Sequence, residues 1–309
     1  MSGQAPIGFF GKIPAHGDFV RGNVGDPLAQ RFTRWLEEAS EACHKTRAQV
    51  PREPVRFLFR AAGEGRALLG VLRGSQDRVG RPFPLAAFAP VQGQLVERSF
   101  PAAPLAYAPF LGGLAEALAA DPASPAALAE RLATLRPPDG DESGPGEDAA
   151  RAAAARPARE FLAPLFGDAA RGRRHYAVNT FLSACGAVRG REPARAETVL
   201  DCPAASDADA WAWLELARRA LGWGTAPSFF LRAGTPGRLL LSLGAPPPAV
   251  LPSLAEPRKD SPKIWPLETS VASAADAARR ALGPARAAAL EREDTTVGDL
   301  AKLVAGGEA

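Results

Sequence analysis

Cysteine is scarce in this chain. Cys43, Cys185 and Cys202 are the three in 309 residues, and no pair has CxxC spacing. A disulfide scaffold is thereby excluded, no structural zinc motif is present, and the usage suits a reducing cytosol. Histidine is equally scarce, so a histidine metal site or proton relay has only His16, His44 and His175 to draw on. No run of about 18 apolar residues occurs, because Arg, Asp and Pro interrupt the Ala-rich stretches, so no membrane insertion is expected. Residues 1–6 are short and polar, with neither the basic nor the apolar part of a leader, so the expected location is cytoplasmic.

Charge of one sign is also missing. Lys and Arg number 37 against 34 Asp and Glu, a net of +3. The densest basic cluster, Arg171-Gly172-Arg173-Arg174, is short and has no interleaved aromatics, so nucleic acid is not an expected partner. Catalytic motifs fail as well. Gly11-Lys12 is followed by Ile13 where a phosphate loop needs a hydroxyl, and Leu68 stands where Gly63 and Gly65 would need a third glycine for GxGxxG. HExxH, GxSxG and EF-hand loops do not occur. The expectation is no catalytic residues, no metal and no cofactor.

What is present is an ordinary globular composition, 46% hydrophobic and 23% charged, with 30 Gly and 30 Pro to break the chain often. At about 150 residues per domain the length allows one large domain or two. Asp26 and Pro27 form a helix start, and Leu28, Phe32, Trp35, Leu36, Ala39 and Cys43 fall on one face after it. Strands are expected at 7–10, 55–59, 67–72 and 83–89, with 55–59 and 67–72 joined as an antiparallel hairpin. Helices are expected at 105–119, 125–135 and 158–166. A strand is expected at 176–188 because Val178, Thr180, Phe181 and Val188 favour one. Ser206 and Asp209 open a further helix carrying Trp211 and Trp213, and a last hairpin follows at 228–231 and 238–243. The expected organisation is an α/β domain over 1–256, with a mobile acidic loop at 137–148, and an Ala/Arg-rich C-terminal tail over 257–309, helical or mobile.

Two polar constellations stand out. The first is Lys12, His16 and Asp18 on a loop punctuated by Pro14 and Gly17: either a base with its orienter, or an Asp that bonds loop N–H groups beside a solvated Lys. The second is Ser75-Gln76-Asp77-Arg78-Val79-Gly80-Arg81-Pro82-Phe83-Pro84-Leu85. Asp77 can accept backbone N–H bonds there and Gly80 can take a positive φ. Arg78 or Arg81 can reach Asp18 or Asp77. This is either an Arg site for phosphate or an acidic partner, or a charge-locked turn.

These two stretches resemble a known family. Gly8-Phe9-Phe10-Gly11-Lys12-Ile13-Pro14-Ala15-His16-Gly17-Asp18-Phe19-Val20-Arg21 is similar to the opening signature of the type VI secretion-associated protein family TagF, and Asp77 to Leu85 is similar to its second signature. Trp211-Ala212-Trp213-Leu214 and Pro227-Ser228-Phe229-Phe230 continue the likeness more weakly; Phe229-Phe230-Leu231-Arg232 stands where the family has a Trp-rich strand. The resemblance implies a three-layer α/β/α sandwich with a mixed, largely antiparallel central sheet. It also implies a non-enzymatic cytoplasmic accessory protein that represses secretion post-translationally by binding a system component such as the forkhead-associated scaffold. Lys12, His16, Asp18, Arg21, Asp77, Arg78 and Arg81 are then the candidate protein-binding residues, and Gly11, Pro14, Gly17, Gly80 and Pro84 the structural turn positions. A metal-dependent phosphoesterase built on Asp18 and Asp77, and a structural adaptor of the secretion apparatus, are the alternatives.

Overall fold

A computed structural model of the chain describes residues 6–137, 146–166, 171–234, 236–255, 261–268 and 274–305. The expected acidic loop at 137–148 falls mostly outside these residues; Glu147 and Asp148 open a helix.

Strands β1 (Gly8–Gly11) and β2 (Val20–Gly22) precede helix α1 (Pro27–Thr46), followed by β3 (Val55–Phe59), β4 (Ala67–Gln76) and β5 (Pro82–Val91). Helices α2 (Gln94–Glu97), α3 (Ala103–Ala106), α4 (Ala108–Ala119), α5 (Pro125–Ala133), α6 (Glu147–Ala155), α7 (Ala158–Phe166) and α8 (Arg171–Ala187) come next. The chain then forms β6 (Val199–Pro203), α9 (Asp207–Leu221), β7 (Ser228–Arg232), β8 (Arg238–Ser242), α10 (Val250–Ala255), β9 (Ile264–Pro266), α11 (Ala275–Glu291) and α12 (Val297–Ala305).

The strands form one nine-stranded sheet in the order β2-β1-β5-β4-β3-β7-β8-β6-β9. Every pairing is antiparallel except β6 with β9, so the sheet is mixed and largely antiparallel. Helices cover both faces. Phe57, Phe59, Leu68, Leu72, Phe88 and Phe230 point to one face, where α1 and α10 lie. Leu58, Leu69, Val71, Phe229 and Leu231 point to the other, where α4, α8, α9 and α12 bury Leu114, Phe181, Trp213 and Leu300. Alternate side chains therefore enter two different cores, which is why these strands read as continuous apolar runs.

Local chemistry sets the main helices. Asp26 Oδ1 accepts from Leu28 N at 2.8 Å, Pro27 occupies the first turn, and Leu28, Phe32, Trp35, Leu36, Ala39 and Cys43 are buried. Phe32 stacks on Phe57 at 4.8 Å between centroids and Trp35 on Phe230 at 5.0 Å. Each such pair contributes about 0.5–1.5 kcal/mol beyond its burial. Ser206 and Asp209 cap α9 reciprocally, and Gly222 ends it with φ 60°.

One expected strand is a helix. Residues 176–188 lie almost wholly in α8, not in the sheet. Val178 and Phe181, three positions apart, bury on one side of it, and Phe181 meets the Trp213 ring at 4.9 Å. Tertiary packing thus overrides β propensity. The C-terminal helices α11 and α12 place Leu282, Leu290, Val297, Leu300 and Val304 in the same apolar cluster as Trp213. Among the described residues no single helix is long and apolar enough to cross a membrane.

Candidate docking site

The two polar segments meet at one end of the sheet. β1 ends at Gly11, whose φ of 145° suits glycine and whose missing Cβ would lie 2.1 Å from the Pro84 carbonyl oxygen. That close approach lets the chain leave β1 across β5 and carries Lys12 toward the β4–β5 turn. Lys12 Nζ donates to Asp77 Oδ2 at 3.0 Å and sits 5.2 Å from the centre of the Phe19 ring.

Asp77 organises the turn. Its Oδ2 also accepts from Arg81 Nε at 2.6 Å, and its Oδ1 accepts from Val79 N at 3.1 Å and Arg81 N at 2.9 Å. The carboxylate is fully enclosed. Burial pushes its pKa up, but the Arg81 amide, the Lys12 ammonium, the Arg81 guanidinium and the Val79 amide outweigh burial and hold it well below the usual carboxylate range. Gly80 completes the turn with φ 87°.

Further bonds tie the turn to the first loop. Arg78 N donates to His16 O at 2.9 Å, and Arg81 Nη2 to Gly17 O at 2.8 Å. Phe19 packs edge-on against Phe83 at 4.8 Å and stacks on Phe10 at 5.4 Å. Asp18 Oδ1 accepts from Phe19 N at 2.7 Å, and its own N–H donates to His16 Nδ1 at 3.3 Å.

Lys12, Asp77, Arg78, Arg81 and His16 are thus brought together. Asp18 closes its own local turn and is not a partner of either arginine. Arg21 lies on edge strand β2, opposite Phe10 in register, and has no carboxylate partner among the described residues. Pro84 sits inside β5 and not in the turn. It pairs with Gly74 on one side, while on the other the β1 ladder stops at Ala86, so its missing N–H costs no ladder bond there. Gly17 does not take a positive φ.

Sequence reasoning missed Val79. It is 68% exposed, and it and Trp265 are the large apolar side chains left exposed among the described residues. No periodicity marks a lone valine in a turn, so no signal in the sequence distinguished it. A separate cavity of about 340 Å³ opens at the start of β1, lined by Gly8, Asn23, Asp26, Arg66, Leu68 and Phe88. Among the described residues no group of three or more His, Cys, Asp or Glu gathers to hold a metal ion.

Residues 8–135 match the family model of the TagF N-terminal domain, type VI secretion system-associated. The chain carries a TagF N-terminal domain. Both signature segments lie inside that match, which marks residues 8–135 as a type VI secretion system-associated domain. The crystal structure of PA0076 from Pseudomonas aeruginosa PAO1 at 2.05 Å resolution is similar at 24% identity and a TM-score of 0.34. The similarity covers 43% of this chain and 63% of that one, so the chain spans less than two thirds of that protein's length. No curated protein matches.

Proposed function

We propose that the chain is a non-enzymatic cytoplasmic accessory protein that represses type VI secretion post-translationally. It does so by binding a component of the system, and the forkhead-associated scaffold is the partner the family resemblance favours. The observation that carries this reading is the meeting of both TagF signature segments in one rigid clasp, with Lys12 and Arg81 both bonded to Asp77 and the turn beyond them exposed. A clasp of this kind presents a fixed surface to a partner.

The same geometry weakens the phosphoesterase reading. A metal ion needs the lone pairs of Asp77, yet four donors occupy them and two of those donors are cationic. Asp18 turns to its own loop.

The test is secretion. Overproducing the chain in a strain with an active system is expected to lower effector in the medium while cellular effector stays constant, and the chain is expected to co-purify with the scaffold. Unchanged secretion contradicts repression. Constant stoichiometric presence in purified apparatus identifies a structural adaptor instead.

A further inference from the structure

We infer that the turn at 78–81 binds a carboxylate-rich protein surface, with Val79 entering an apolar recess between acidic side chains. This rests on the docking reading above and adds the chemistry of the partner.

Three observations carry it. First, Val79 is held out in solvent and cannot fold back. Asp77 fixes the turn through the Val79 and Arg81 amides, Gly80 fixes its geometry, and the Arg78 amide is tied to His16 O. A pre-shaped apolar tip binds without the cost of ordering a loop. Second, the flanking guanidinium groups keep donors in reserve. Arg81 spends Nε on Asp77 and one Nη2 hydrogen on Gly17 O, so its Nη1 end is unspent, and its side chain is 62% exposed. Arg78 is exposed and has no carboxylate partner among the described residues; its Nη2 lies 3.7 Å from where a Cβ on Gly17 would stand. Unspent planar donors fit carboxylates in paired hydrogen bonds. Third, Val79 and exposed Pro82 place apolar surface directly beside that charge. Apolar contact favours a protein over the phosphates of a nucleic acid. Lys12 and Asp77 are positioning residues; Arg78, Val79 and Arg81 make the contact.

The experiment replaces Val79 with the photo-cross-linker p-benzoylphenylalanine in the full chain, in secreting cells, and maps the cross-linked peptide. The purified cross-linked partner is then titrated against wild type, Arg78→Glu, and Arg34→Glu, an equal charge change on the exposed face of α1. The expected result is a cross-link to a segment bearing Asp or Glu, affinity that falls with salt, and a loss of about tenfold or more for Arg78→Glu with Arg34→Glu unchanged. Changing the cross-linked Asp or Glu of the partner to Lys is expected to restore binding to Arg78→Glu. No cross-link, a cross-link to nucleic acid or to a segment without carboxylates, or Arg78→Glu binding as wild type overturns the inference. If the forkhead-associated scaffold binds but ignores Arg78→Glu, the docking reading survives and this inference fails. If charge exchange works with a different component, the inference stands and the choice of scaffold fails.

Discussion

Lys12 and Asp77 lie 65 residues apart in the chain and meet at 3.0 Å, with the Asp77 carboxylate wholly enclosed. One joins the end of β1 to the loop before β2, and the other starts the β4–β5 turn. Their contact makes two separate segments a single rigid body, and the exposed turn at 78–81 owes its shape to it.

Removing the charge of Asp77 is therefore expected to loosen the tip before it unfolds the domain. Asp77→Asn keeps the side-chain shape but leaves Lys12 without a counter-ion. Trypsin cleavage after Arg78 is expected to speed up by about tenfold or more, because cleavage follows local opening; the Arg81–Pro82 bond is not a trypsin site. Equal cleavage rates in variant and wild type contradict the clasp.

The pH dependence of that contribution has a fixed sign. Asp77 is held below its ordinary value in the folded protein. Its stabilisation is then complete above the unfolded carboxylate value of about 4, and is lost as pH falls further toward the folded value. The difference in Tm between wild type and Asp77→Asn is expected to be level from neutrality to about pH 5 and to shrink below pH 4. Glu215 acts in the same direction: burial raises its pKa, but Arg218 and Arg219 hold it lower. A Tm gap that widens in acid contradicts this assignment.

Gly11→Ala is expected to be costly out of proportion to one methyl group. The new Cβ meets the Pro84 carbonyl oxygen at 2.1 Å, and the φ of 145° disfavours any side chain. Strained backbone alone costs about 1–3 kcal/mol, and the clash adds to it. Urea unfolding is the measurement; a change under 0.5 kcal/mol, taken as roughly the noise level of a surface substitution, contradicts the close approach.

Much of this was legible because local signals agreed with the fold. Asp26, Pro27 and the stripe from Leu28 to Cys43 specify α1 at every level, and the turn residues around Asp77 and Gly80 specify the hairpin tip. Strand β6 was not legible. Asp201 and Pro203 are residues that strands disfavour, and Arg238, 37 residues later, makes a buried Asp201 tolerable by pairing with both carboxylate oxygens. Helix α8 was misread because Val178 and Phe181 are chosen for packing against Trp213, not for propensity. At the candidate site the sequence named the right charges but left Asp18 and Asp77 as equal partners. Enclosure decides between them, and enclosure depends on the Gly11–Pro84 crossing.

The Asp201–Arg238 pair gives a second stability test, away from the tip. Both side chains are about 5% exposed, so Asp201→Asn strands a buried guanidinium and is expected to cost about 3–5 kcal/mol. A smaller loss, under about 1 kcal/mol, contradicts a buried ionic pair.

Deleting residues 274–309 removes α11 and α12, with Leu282 and Leu300 among the residues lost, and exposes the rest of the apolar cluster that holds Trp213. The truncated chain is expected to bind a hydrophobic dye and to unfold without a sharp transition. A soluble truncation with an unchanged Tm contradicts their place in the core.

The most direct test of the account is secretion in a strain whose sole copy of this chain carries Arg78→Glu and Val79→Asp, compared at equal protein level and equal Tm with wild type and with Arg34→Glu. Effector in the medium is expected to rise to the level of the deletion strain for the tip variant alone. Repression by the tip variant equal to wild type would contradict it.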